Sequence, residues 1–266
     1  MIVLISHAVT KGLNPDAPMK DSGVEWLGEV PGHWGIKRLE DVLARPTMNG
    51  LFKTKDSYGS GSALINVGDL YEEDNFINID KLGRIQTTSK ERELYRVLNG
   101  DIFFVRSSLK LEGIGRSACF DTEMDDIVFE CHIVKATPDV GKVLPRFLIR
   151  YLNSVGCSQE FIRRSKTTTM TTIEQAGLTT VPVAVPPIDE QVEIDKYLTK
   201  YLEKVKSAAE QADQSIALLQ ERRTALISAA VTGKIDVRDW KPPKDFRLHG
   251  NDDINEERVP TRGDHQ

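Results

Sequence analysis

Apolar residues recur at alternating steps of four and three along one stretch of this chain: Ile194, Leu198, Tyr201, Val205, Ala208 and Ala212, then Ser215, Leu219, Arg222, Leu226 and Ala229. That is the heptad period of helices that pack on one another. From Ile188 to Thr232 there is neither Gly nor Pro, and Glu, Lys, Gln, Ala and Leu dominate, all strong helix formers. Val185-Pro186-Pro187 precedes the stretch, Asp189 and Glu190 put acid in its first turn, and Gly233-Lys234 stands at its end, as the helix dipole and C-terminal capping favour. The pattern predicts a helix over residues 188–233, roughly 68 Å long at about 1.5 Å per residue. Small residues in mid-seam allow a second helix to approach closely. The expected helix–helix interface is Ile194, Leu198, Tyr201, Val205, Ala208, Ala212, Leu219 and Leu226. A single helix cannot bury such a seam alone, so a helix from elsewhere is the expected partner.

Residues 36–187 carry a different pattern. Short apolar runs at Ala63–Val67, Asp101–Val105 and Asp126–Phe129 are bounded by Gly, Asn and Asp, which predicts strands joined by turns. Leu144–Val155 has Phe147, Leu148, Tyr151 and Leu152 on one side, as an amphipathic helix would. The expected fold is α+β: a globule with a twisted mixed sheet, followed by one long coiled-coil helix.

An internal repeat adds a constraint. Leu4-Ile5-Ser6-His7-Ala8-Val9-Thr10-Lys11-Gly12 recurs as Leu226-Ile227-Ser228-Ala229-Ala230-Val231-Thr232-Gly233-Lys234, with six of nine positions identical and the last two exchanged. The end of the long helix therefore occurs twice, and the first copy reads as the stub of a preceding helix. One unit of a two-unit architecture is the plain inference.

At 266 residues and 39% hydrophobic, the chain suits one core of ordinary size plus an appendage. Cys119, Cys131 and Cys157 are too few and too irregularly spaced for a disulfide framework, and no Cys-x-x-Cys pair suggests zinc. The expectation is a reduced, cytoplasmic protein with no membrane span, since the apolar start Met1–Ile5 is short. A net charge of −5 argues against coating nucleic acid by charge alone. Local patches remain: residues 81–116 hold eight Lys/Arg against four acids, and residues 142–178 hold six against two.

No catalytic pattern emerges. Gly59-Ser60-Gly61-Ser62-Ala63-Leu64 lacks the third glycine of a dinucleotide loop, and neither a phosphate-binding Gly-x-x-x-x-Gly-Lys nor the Asn-Pro-Pro-aromatic tetrad of amino-methyltransferases occurs. The only nuclease-like Asp-x-Lys triplet, Asp239-Trp240-Lys241, sits in a polar tail. Cys131 and His132, read as neighbours on a strand, would point to opposite faces and not meet. His33, in Pro31-Gly32-His33-Trp34, reads as part of a packed turn. Catalytic residues and metal ligands are thus expected to be absent. For nucleic-acid contact, Arg106-Ser107-Ser108 with Lys110 and Arg116, and Arg163-Arg164-Ser165-Lys166 with the threonines after it, combine bases with hydroxyls suited to phosphate and base edges. The candidates are Arg106, Lys110, Arg116, Arg163, Arg164 and Lys166.

Several motifs in order resemble a known family. Met19-Lys20-Asp21-Ser22-Gly23-Val24-Glu25-Trp26-Leu27-Gly28-Glu29-Val30-Pro31-Gly32-His33-Trp34, Asn99-Gly100-Asp101-Ile102-Phe103-Phe104-Val105-Arg106, Val181–Gln191 and Glu221–Asp236 are similar to segments of the DNA-specificity subunits of type I restriction-modification systems. The tail at 234–266 is polar, and its Pro, Asp, Asn, Arg and Gly content predicts disorder; the resemblance implies a stub at 1–12, an opening segment at 13–35, a target-recognition domain at 36–187 and a spacer helix at 188–233. It implies a subunit without catalytic activity that positions methyltransferase subunits, and restriction subunits through them, on a split DNA site. S-adenosylmethionine, ATP and Mg would belong to those partners. A full family member carries two such domains and two antiparallel helices, so this chain resembles the C-terminal half. Its helix would pair with a second copy or with a separate N-terminal half. A coiled-coil assembly module, or a remnant that no longer reads DNA, is the alternative.

Overall fold

The run Ile102–Val105 is apolar at every position because both faces of its strand are covered. Ile102 and Phe104 enter one core layer and Phe103 and Val105 the other. In the computed structural model, which describes residues 2–167, 169–236, 238 and 241, this strand is central in a four-stranded antiparallel sheet of order Met48–Asn49, Ile133–Ala136, Ile102–Val105, Ser117–Cys119. Apart from Asp236 and the residues before it, Arg238 and Lys241, the expected disordered tail and the Asp-x-Lys triplet lie outside the described residues.

Six α-helices occur among the described residues: α1 Ile2–Lys11, α2 Ser89–Leu94, α3 Pro145–Leu152, α4 Val155–Arg164, α5 Gln175–Thr179 and α6 Ile188–Val231. One face of the central sheet packs on α3 and α4 through Phe147, Leu148, Tyr151, Leu152 and Phe161. The same layer takes in Ala8 and Val9 of α1 and Ile194 and Leu198 of α6. The other face meets a three-stranded sheet in which Tyr58–Ile65 runs parallel to Ile127–Phe129 and antiparallel to Gly83–Ile85. The Phe129 ring sits edge-on to Phe103 at 5.3 Å, an arrangement aromatic pairs favour. The chain is therefore α+β with a long C-terminal helix, as its pattern predicts.

Two local expectations change. The predicted strand at Ala63–Val67 is observed as Tyr58–Ile65, and Val67 opens a 3-10 turn. The helix predicted over Leu144–Val155 is observed as α3, Pro145–Leu152, which stops at Asn153-Ser154 before α4 begins at Val155. The Asn153 amide closes the end of α3 by donating to the Ile149 carbonyl of that helix and to the Ser117 carbonyl, a contact with a strand that no local pattern reports.

The chain divides into two compact units, the first through Val205 and the second from Lys206 onward. In the first, motifs about 150 residues apart converge. Trp34, fully buried, donates its indole N–H to Glu190 at 3.0 Å, and His33 Nε2 lies 2.7 Å from the same carboxylate oxygen. Gln191, also fully buried, accepts from the Leu144 amide and donates to the Lys142 and Pro186 carbonyls. Gly35–Arg38 pairs antiparallel with Pro182–Val185. The Pro-Pro-x-x-Glu-Gln turn thus ties the start of α6 to the opening segment and to α3.

Arg150 of α3, almost fully buried, donates to Asp195 at 2.9 Å and to Thr199 at 2.9 Å, while Arg146 reaches Asp195 and Asp121. Ile194 and Leu198, beside this network, are at 0% exposure. Burial of each stabilises by about 1.5–3 kcal/mol. These two positions of the expected helix–helix interface are corrected: they belong to the chain's own core, because α3 supplies an apolar surface there. Tyr201 and Val205 are half-buried, and in the second unit Ala208, Ala212, Leu219 and Leu226 are exposed.

The repeated segment occupies two environments. In both copies a threonine hydroxyl donates to a serine carbonyl four residues back, Thr10 to Ser6 and Thr232 to Ser228, each at 2.7 Å. In α1, Ala8 and Val9 are buried and the Ser6 hydroxyl accepts from the Val155 amide at the start of α4. In the second unit the counterpart Val231 is 82% exposed.

Candidate nucleic-acid interface

The segment after α4 folds as a hairpin. Lys166–Thr167 pairs with Thr171–Thr172, which in turn pairs antiparallel with Ser107–Ser108. The Ile173 amide then donates to the Arg106 carbonyl. This small sheet joins the two basic segments singled out in the sequence, sixty residues apart, on one edge. Arg106 is half-buried, Lys110 and Lys166 are exposed, and Thr167 and Thr171 share a hydroxyl hydrogen bond of 3.0 Å. Lys166 is paired with the exposed Glu174 at 2.9 Å, a contact of little strength in water. Among the described residues, Arg106 and Lys110 have no acidic partner in an ion pair. A cavity of about 460 Å³ beside this edge is lined by Tyr71, Ser107, Ser108, Lys110, Glu112 and His132.

The other three candidates stand elsewhere. Arg116 turns inward and donates to the carbonyls of Leu70 and Glu72. Arg164 donates to Glu160, the Gly177 carbonyl and the Thr180 hydroxyl. Both guanidinium groups hold loops together within the chain, and their acceptors come from residues that sequence spacing does not bring near. Arg163 is mostly exposed, and its guanidinium makes two 2.7 Å hydrogen bonds to the buried Glu160. It lines a separate groove of about 740 Å³ with Trp26, Gln159 and Pro182.

The hydrogen bonds from Arg163, and those from Arg164, hold the Glu160 carboxyl below the usual range against the opposing effect of burial. A carboxyl with a depressed folded pKa adds stability that is present above its unfolded value of about 4.3 and is lost as pH falls through the folded value. Urea unfolding of the wild type should therefore weaken in acid more than that of Glu160→Gln. Identical acid profiles would remove Glu160 from this role.

Glu130, Cys131 and His132 follow the strand Ile127–Phe129 as a turn, with the Ile133 amide donating to the Glu130 carbonyl at 3.1 Å. One ligand-type atom from each of the three lies within 4.8 Å of the others. The expectation that Cys131 and His132 face apart is overturned, because the strand ends at Phe129 and alternation ends with it. Burial, and then the Glu130 carboxylate, push the Cys131 thiol up. No pattern of spacing signals this cluster.

Comparison with known proteins follows the fold. A family model described as "Type I restriction modification DNA specificity domain" matches residues 31–216. The chain is 25% identical over 177 residues to the type I restriction enzyme MjaX specificity subunit of Methanocaldococcus jannaschii, covering 66% of this chain and 41% of that protein. It is 23% identical over 202 residues to the type I restriction enzyme StySPI specificity subunit of Salmonella potsdam, covering 75% of this chain and 43% of that one. It thus spans less than half the length of these curated relatives. Among solved structures, a chain from work on assembly and conformational transition of the type I R-M system superposes with a TM-score of 0.59 at 16% identity, over 86% of this chain and 50% of its own. The HsdS subunit from Thermoanaerobacter tengcongensis superposes with a TM-score of 0.53 at 16% identity, over 88% and 50%. At that identity the likeness is one of fold.

Proposed function

This chain belongs to the type I restriction modification DNA specificity domain family, and on that premise we propose that it is a non-catalytic, DNA-reading subunit of a type I restriction-modification assembly. The observation that carries the reading is the strand pair Lys166–Thr167 and Thr171–Thr172 laid beside Ser107–Ser108. It collects Arg106, Lys110 and Lys166 with several hydroxyls on one edge, a set suited to phosphate oxygens and base edges. In this reading residues 36–187 recognise one half of a bipartite target, with Arg163 a further, outlying contact.

The spacer helix meets a second helix, from another copy of this chain or from a separate chain carrying the preceding half. Support comes from its own surface: Leu219 and Leu226 are 62% and 50% exposed, whereas the first copy of the repeated segment buries Ala8 and Val9. Methyltransferase subunits dock on the assembly, and restriction subunits through them. S-adenosylmethionine, ATP and Mg2+ serve those partners, and the setting is cytoplasmic. Among the described residues no helix is long and apolar enough to cross a membrane.

The test is equilibrium binding to a pool of duplex DNA at several salt concentrations. Changing Arg106 and Lys166 to Ala should weaken binding and reduce the slope of log K against log salt by about 0.9 for each phosphate no longer neutralised. Unchanged affinity and slope would reject the assignment. A protein-only assembly module, the other reading the seam allows, would show no salt-dependent DNA binding in the same titration.

A further inference from the structure

We propose that the Glu130-Cys131-His132 turn binds one Zn2+-class divalent cation through a carboxylate oxygen, the Cys131 sulfur and an imidazole nitrogen, with a fourth position open to the cavity beside Lys110. The ligand chemistry is the first reason. Thiolate and imidazole together select a borderline-soft ion, and a carboxylate completes a mixed set that Zn2+ accepts. The separations are the second. Zn–ligand bonds of about 2.0–2.3 Å set tetrahedral ligands roughly 3.3–3.6 Å apart. The three atoms lie within 4.8 Å of one another, so side-chain rotation of about an ångström closes the set.

The backbone under the turn is already fixed, which is the third reason. The Leu51 amide donates to the Phe129 carbonyl at 2.7 Å, the Glu130 amide to the Ile65 carbonyl at 3.1 Å, and the Arg106 amide to the His132 carbonyl at 3.0 Å. A Cβ at Gly50 would clash with the Glu130 carbonyl oxygen, so the neighbouring strand can pass this close only as glycine. One Glu130 carboxylate oxygen accepts from the Val67 amide at 3.3 Å, which orients the other oxygen as an outer-shell partner orients a ligand. Cys131 is half-buried and His132 exposed, so solvent ions reach both. The imidazole also lines the cavity with Ser107, Ser108 and Lys110. Occupancy would stiffen the turn on which Arg106 is hydrogen-bonded.

Binding replaces the S–H bond of Cys131 with a metal–sulfur bond and releases that proton to solvent. No electrons are transferred, and affinity should rise with pH. The untagged full chain, freed of metal by a chelator, is titrated with Co2+ and then Zn2+ in the absence of DNA. The expected result is saturable binding of one Co2+ per chain, with a near-ultraviolet sulfur-to-cobalt charge-transfer band that Zn2+ abolishes. Cys119 and Cys157 are fully buried, so Cys131→Ser should remove the band entirely. His132→Ala should weaken binding at least as much as removal of an outer-shell partner does, about 10- to 100-fold. Circular dichroism establishes that both variants fold. Absence of the band, its persistence in Cys131→Ser, or unaltered affinity in His132→Ala would each overturn the proposal. Because no DNA is present, none of these outcomes bears on DNA reading.

Discussion

Asp101→Ala is expected to destabilise the chain by about 3–5 kcal/mol, the cost of leaving a buried charge without its partner. Asp101 is fully buried, and its carboxylate accepts from the Leu98 amide at 2.8 Å and from the Thr137 hydroxyl at 2.5 Å. Lys135, itself almost fully buried, brings its ammonium to 3.7 Å from the same carboxylate and lies over the Phe129 ring at 5.3 Å. Burial lowers the Lys135 pKa, and Asp101 opposes that shift. Removing Asp101 therefore lowers it further. Between the folded pKa and the ordinary lysine value of about 10.4 the unfolded chain then binds more protons than the folded one, so the variant should regain stability as pH rises through that window. Urea unfolding at neutral and alkaline pH measures both effects. Adding Lys135→Met should restore most of the loss, since replacing both charges leaves no orphan. A loss under about 1 kcal/mol, well short of a buried unpaired charge, or one the second change does not relieve, would refute this account of the Asn-Gly-Asp motif.

Asp195→Ala should have an effect of similar size, about 3–5 kcal/mol, for the same physical reason at a different joint. Its carboxylate is the charged partner of Arg150, a guanidinium only 4% exposed between α3 and α6. With Asp195 gone, Arg150 keeps only the Thr199 hydroxyl as a side-chain acceptor among the described residues. Arg146, which also reaches Asp195 but is 45% exposed, provides the contrast. Arg146→Ala should cost less than about 1 kcal/mol, as exposed pairs do. Chemical unfolding of the two variants side by side reads the difference, and equal losses would show that burial of Arg150 is not what matters.

Of the two aspartates, Asp101 was legible in the sequence as a member of a motif, and Asp195 stands in none. Asp101 follows Gly100, whose φ of +89° marks a turn that glycine makes easily, and turn residues before an apolar run are a local signal. That its carboxylate also meets Lys135 and Thr137, over thirty positions later, is not local. The Glu190-Gln191 pair was equally visible as a repeated family pattern without a stated purpose. Its purpose is contact with Trp34 and with the start of α3, and packing alone brings those together.

The candidate interface divides the same way. Base-and-hydroxyl segments were readable, because composition is a property of the chain. Which of their cations remain available was not. Arg116 is engaged by carbonyls about 45 positions away, and Arg164 by Thr180 and Glu160, whereas Arg106 and Lys110 share an edge with Lys166 because three short strands pair. The Glu130-Cys131-His132 cluster is not legible in the sequence, because strand alternation stops where the strand ends at Phe129 and only the folded turn brings the three side chains together.

By itself the sequence determined the long helix and its limits to within two residues, the buried apolar strands and the α+β class, since helix propensity, periodicity and the absence of Gly and Pro act over a few neighbouring residues. Tertiary structure alone decided that Ile194 and Leu198 serve the chain's own core while Leu219 and Leu226 stay exposed. The seam is chemically continuous along the helix, and a residue becomes core or surface according to whether α3 and the sheet behind it come within contact distance. That distance is a property of the folded chain as a whole.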